Sequence, residues 1–124
     1  MREVVTVKAP KAVGPYSQAI VSGGHVYCSG QLPLDLDGNV VAGGIKKQTK
    51  RVIENIIAIL DGIDSVLDNV VKVNVYLADM NDFQEFNAVY SNYFRFDPKP
   101  ARSTVEVSRL PKNVKIEIDC IAEV

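Results

Sequence analysis

Two stretches of helical period interrupt a chain whose other apolar runs read as strands. In the first, Ile45, Val52, Ile56, Ile59, Leu60 and Ile63 recur at helical spacing, with Lys46, Lys47, Lys50 and Arg51 on another side. The second starts near Asn81, where Asn81 and Gln84 fit a capping box, and carries Phe83, Phe86, Asn87, Tyr90 and Phe94. Around these lie strand-like runs over 3–7, 17–22, 25–30, 70–78, 102–108 and 114–122. Gly23-Gly24 joins two of the runs and predicts a type I′ hairpin, whose central residues both need positive φ. The resulting order is β-β-β-α-β-α-β-β. Two helices cannot cover both faces of a five- or six-stranded sheet. One face therefore packs on the helices, and the other meets water or a partner.

The last strand shows the split. Val114, Ile116, Ile118, Cys120 and Ala122 face one way, and Lys115, Glu117, Asp119 and Ile121 the other. That second face is mixed rather than plainly solvated, a pattern suited to a subunit interface with a wet cleft. In 70–77, alternation places Val71, Val73, Val75 and Leu77 on one face and Val70, Lys72, Asn74 and Tyr76 on the other. Gly62 reads as the stop of the first helix. Asp97-Pro98-Lys99-Pro100 ends the second. With 124 residues, one domain spanning 1–124 is expected. Area scaling leaves roughly 6,600 Å² exposed after folding, enough burial for a core without staples.

Several functional classes are disfavoured. The net charge of −1 gives no global attraction to nucleic acid. No apolar run approaches a membrane span, and the first residues carry no secretory h-region, so a cytoplasmic location is expected. Cys28 and Cys120 cannot make a disulfide framework or a zinc site alone and read as reduced, buried thiols. The lone His25 has no partner at metal-ligand spacing, so no metal is expected. A nucleophile elbow, a dinucleotide fingerprint and a P-loop are all missing, so no cofactor is signalled.

A few residues could carry chemistry. Arg102, entered through Pro100-Ala101, presents a planar fork that suits a carboxylate, or else pairs with Glu106 or Asp119. Glu117 is a mid-strand acid among apolar neighbours, either a base of raised pKa or an exposed sheet-face acid. Tyr16 either lines a pocket or packs. Gly30, after Ser29, permits close approach of a ligand to the backbone or forms a bulge. Asn87 is an interface contact or an ordinary polar helix position. Lys46, Lys47, Lys50 and Arg51 form the sole basic cluster; without interleaved aromatics it reads as a solvated helix face.

Taken together, Gly14-Pro15-Tyr16-Ser17-Gln18-Ala19, Cys28-Ser29-Gly30-Gln31-Leu32-Pro33, Met80 through Asn87, Pro100-Ala101-Arg102-Ser103 and Arg109-Leu110-Pro111 before Val114–Ile118 resemble the RidA family (YjgF/YER057c/UK114). The resemblance runs in order along nearly the whole chain. It implies a chorismate-mutase-like α+β domain with a mostly antiparallel mixed sheet and two helices on one face. It also implies a homotrimer packed through the sheets, with clefts between neighbours. The implied activity is cofactor-independent hydrolysis of 2-enamines and 2-imines, such as 2-aminoacrylate and 2-iminobutanoate, to 2-keto acids and ammonia. On that resemblance Arg102 binds the carboxylate, Glu117 activates water, and Tyr16, Ser29, Gly30, Asn87 and Thr104 line the cleft. Thr104 stands where many active members carry Cys, so a reactive thiol is absent there. Two other readings remain: a non-catalytic trimer that binds keto or amino acids, and, with only the lysine cluster behind it, an RNA-acting translation inhibitor.

Overall fold

The computed structural model describes all residues, 1–124. Six strands form one sheet: β1 (Arg2–Val4), β2 (Ala19–Ser22), β3 (His25–Gln31), β4 (Val70–Leu77), β5 (Ala101–Glu106) and β6 (Ile116–Glu123). Their spatial order is β1-β2-β3-β6-β4-β5, and only β4 and β5 run parallel. Helices α1 (Gly44–Asp61) and α2 (Phe83–Tyr93) supply the long connections, α2 lying between the parallel pair as such a crossover requires. Gly23 and Gly24 both take positive φ, 59° and 81°, as the tight β2–β3 hairpin demands.

Both helices cover the same face. Ile53, Ile56, Ile59, Leu60 and Phe86 are fully buried against Val73, Val75, Leu77, Ile116 and Ile118 in one continuous core. The folded chain exposes 6964 Å², close to the size expectation. Cys28 and Cys120 are buried in this core as free thiols, opposite one another on β3 and β6. No helix is long and apolar enough to cross a membrane.

Three local readings need correction. A bulge between Val70 and Lys72 exchanges the faces of the first two residues of β4, so Val70 is buried and Val71 is exposed. Asn81 and Gln84 do not form the helix cap. Asp79 instead accepts from the Asn81 amide at 2.9 Å and opens a 3-10 turn, Met80–Asp82, ahead of α2. Gly62 does end α1, but in right-handed conformation (φ −62°), and the left-handed residue is Asp64.

The open face of the sheet is mixed, as its sequence implies. Asp119 accepts from Asn74 Nδ2 at 2.8 Å and from the Tyr76 hydroxyl at 2.9 Å. Lys72 Nζ donates to Ser103 Oγ at 3.0 Å. Around this polar patch, Tyr27 and Val105 are each 47% exposed, and Ile20 and Ile121 flank Tyr27 across the ladder.

Candidate active site

Arg102 sits near the start of the edge strand β5, with Val73 as its register partner. Directly opposed residues share a face, so its side chain lies on the helix-covered side. There α2 presents aromatic residues at i, i+3 and i+7. The guanidinium carbon lies 4.7 Å from the Tyr90 ring centroid, 5.3 Å from Phe86 and 5.7 Å from Phe83. Asn87, one residue beyond Phe86, accepts from Nη1 at 2.7 Å. The ring contacts and this bond hold the guanidinium in place. No carboxylate pairs with it, for the only ion pair in the structure is Lys99–Asp97. Neither alternative partner is available: Asp119 is on the other face, and Glu106 accepts from the Met80 amide at 2.8 Å. Arg102 is thus a half-buried, oriented and uncompensated cation, lining with Asn87 a groove of about 510 Å³. Thr104, two residues on, faces the same side, and its buried Oγ1 has no hydrogen-bond partner.

Tyr90 and its aromatic neighbours, which the sequence assigns only to a helix face, form the bed on which Arg102 lies. Their spacing around Asn87 was visible; that an arginine from another strand would lie on them was not. Burial pushes the Tyr90 phenol up to about 12, despite the opposing pull of Arg102. Its hydroxyl, too, is buried with no partner at full hydrogen-bond geometry, Arg102 being the one polar group that draws on it.

Glu117 pairs with Tyr76 in the β4–β6 ladder and so points to the open face, opposite to Arg102. It reaches toward β3 at the point where a bulge shifts the register between Cys28 and Gln31. Gly30 lies in that bulge, and a Cβ there would overlap the Glu117 carboxylate. In this chain the close approach to Gly30 is therefore made by Glu117 itself. Burial first, and the Asp119 charge second, raise the Glu117 pKa above the ordinary 4.5. Glu117, Gly30 and Tyr16 line a second groove of about 330 Å³. Tyr16 is 51% exposed, on the loop tied down by Gln18, whose side chain bonds Thr6 and Pro10. Ser29 does not line this groove. Its hydroxyl donates to the Ser17 carbonyl at 2.6 Å and clips the Tyr16 loop to β3.

The site residues inferred from sequence therefore fall into two groups. Arg102, Asn87 and Thr104 lie on the helix side of the sheet, and Tyr16, Gly30 and Glu117 at the open side. The basic cluster is reduced as well, because Arg51 Nε donates to the Leu34 carbonyl at 2.8 Å and leaves Lys46, Lys47 and Lys50 along the α1–α2 groove. No group of three or more metal-ligating side chains occurs.

Fold and grooves together define a small α+β domain with a sheet face left open and an unpaired arginine lining a groove. The family model described as Endoribonuclease L-PSP matches residues 6–124. A RutC family protein of Pyrococcus abyssi is 58% identical over 98% of this chain and 96% of that protein. Among solved structures, the Rid family protein YyfA of Yersinia pestis is 44% identical at a TM-score of 0.96, covering 99% and 98% of the two chains. TdcF of E. coli, solved with bound serine, is 36% identical at 0.93, covering 100% and 99%. The chain belongs to the RidA/YjgF family.

Proposed function

We propose that this protein hydrolyses 2-imino acids and their 2-enamine tautomers to 2-keto acids and ammonia, in clefts between the subunits of a homotrimer. The observation that carries the reading is Arg102: a cation set against three aromatic rings, bonded to Asn87 and lacking any carboxylate. Such a fork takes the substrate carboxylate bidentately and fixes the imine carbon in place. Glu117, with a pKa raised by burial, takes a proton from the attacking water. Water adds to the C=N carbon to give a carbinolamine. Glu117 passes that proton to nitrogen and takes up the carbinolamine hydroxyl proton as the C–N bond breaks, so ammonia leaves as the keto group forms. No covalent nucleophile is required, so Thr104 in place of Cys is compatible with turnover.

Arg102 and Glu117 occupy opposite faces of one sheet, so a single chain cannot apply both to one small substrate. A neighbouring copy, packed through the mixed open face, supplies the missing half. The serine-bound TdcF relative supports a small amino- or keto-acid ligand.

The test is keto-acid release from 2-aminoacrylate or 2-iminobutanoate generated in place by a pyridoxal-phosphate dehydratase. Wild type accelerates release, while Arg102→Ala and Glu117→Gln do not. After subunit exchange between the two variants, about a quarter of clefts in a random trimer combine an intact Arg102 with an intact Glu117, and activity returns in proportion. Failure of the mixture to regain activity would refute the shared site. Retained ligand binding with no turnover by wild type would favour a non-catalytic binding protein. RNA cleavage abolished by replacing Lys46, Lys47 and Lys50 would favour the RNA-acting reading.

A further inference from the structure

The groove beside Arg102 carries more positive charge than a monocarboxylate uses. Three of its eight lining residues, Arg95, Lys99 and Arg102, are cations, and none is an acid. At about 510 Å³ it also falls within the range of sites for drug-sized ligands, well beyond a three- or four-carbon acid. Arg95 and Lys99 lie in the segment between α2 and β5, both exposed at the groove. Lys99 is already engaged: its Nζ meets Asp97 at 2.9 Å and donates to the Phe96 carbonyl at 3.0 Å. Arg95 forms no ion pair in the structure. A second unpaired cation therefore stands over the groove whose inner end holds the carboxylate anchor.

We infer that the groove favours 2-imino acids with a second acidic group in the side chain, with Arg102 taking the α-carboxylate and Arg95, assisted by Lys99, the distal acid. The inference rests on the imine-hydrolase reading above and specifies its substrate class. Bond changes at the imine carbon are the same: water adds, ammonia leaves, and the distal acid takes no part. The guanidinium fork of Arg95 suits a carboxylate, and the solvent exposure of both cations limits each contact to a few-fold effect that salt weakens. Asp97 competes with the distal acid for Lys99, so its removal strengthens the preference.

The measurement is the ratio of kcat/KM for 2-iminoglutarate to that for 2-iminobutanoate, both generated in place by an amino-acid oxidase at low ionic strength. Binding of 2-oxoglutarate and 2-oxobutanoate by calorimetry provides a parallel readout. In wild type the ratio exceeds one. It falls about fivefold in Arg95→Gln and under high salt. It rises in Asp97→Asn, a change in the opposite direction that general damage to the fold would not produce. An active wild type with a ratio at or below one, or a ratio unmoved by Arg95→Gln, overturns this inference and leaves the hydrolase reading standing. A wild type inactive on both imines overturns the hydrolase reading, and this inference with it.

Discussion

Replacing Gly30 by alanine separates the stability of this protein from its proposed chemistry. A Cβ at Gly30 would lie 2.8 Å from the Glu117 carboxylate carbon and 3.2 Å from its Cγ, well inside ordinary contact. Those atoms end a flexible side chain, so Glu117 swings aside while the backbone stays in place. The stability cost is that of mild overpacking, about 1 kcal/mol, or a Tm lower by roughly 3–5 °C for a chain of this size. Loss of turnover is far larger, because the displaced carboxylate no longer meets the water. We expect kcat to fall about 10²- to 10⁴-fold, the usual worth of a positioned base. The same group is lost in Glu117→Gln, so the double variant Gly30→Ala/Glu117→Gln falls no lower than Glu117→Gln alone. Keto-acid release and calorimetric Tm on the same preparations decide the matter. A Gly30→Ala protein that keeps kcat within about threefold of wild type refutes either the position of Glu117 or its role.

Four further outcomes follow from the titratable and orphaned groups. The folded state holds the Glu117 carboxyl protonated above its ordinary 4.5, so stability declines as pH rises from there through the raised value; Glu117→Gln therefore melts above wild type at pH 8 and level with it near pH 4. The acid limb of kcat/KM follows the same group and moves to lower pH in Asp119→Asn, which removes the second cause of the shift. Tyr90→Phe deletes a buried hydroxyl without a partner and keeps the ring under Arg102, so its Tm in the ligand-free state equals or exceeds that of wild type; a fall of several degrees would show that the hydroxyl is satisfied. Cys120 is pushed well above its usual pKa by its neighbour Cys28 and by burial, so iodoacetamide at pH 8 labels neither thiol in the native protein and both after denaturation.

Much of the fold is legible in the chain because its signals are local. Helical period marks both helices, and Gly23-Gly24 fixes the hairpin by a conformation that few other pairs adopt. What escaped the sequence depends on partners distant along the chain. The Val70/Lys72 bulge arises from how β4 meets β6, and alternation within β4 cannot report it. Asn81 and Gln84 have the spacing expected of a cap, yet the 3-10 turn before α2 brings the earlier Asp79 into that use. At the site, Arg102 and Glu117 stand out by residue type and strand position. Their assignment to opposite faces rests on two ladder registers, β5 on β4 and β4 on β6, that no local pattern encodes. The bond from the Ser29 hydroxyl to the Ser17 carbonyl is illegible for a similar reason, since its acceptor belongs to the neighbouring strand's entry loop.

Separating Arg102 from Glu117 has a physical consequence for the proposed reaction. Side by side in one chain, the two would pair. The cation would draw the Glu117 pKa down and weaken it as a base, and the carboxylate would fill the fork needed for substrate. Placed on opposite faces, each keeps the property its role requires. Arg102 stays unpaired over its aromatic rings, and Glu117 stays under the influence of burial and Asp119. In the proposed assembly the two approach only across an intersubunit cleft, where the substrate carboxylate occupies the fork and the imine carbon lies between fork and base. Substrate thus separates the opposite charges at the moment they act together. An empty cleft, by contrast, brings a cation and an acid into mutual view, so in the assembled protein the pKa of Glu117 is lower without substrate than with the fork occupied. The pH profile of kcat, which reports the occupied cleft, should accordingly have its acid limb at higher pH than that of kcat/KM, which reports the free protein.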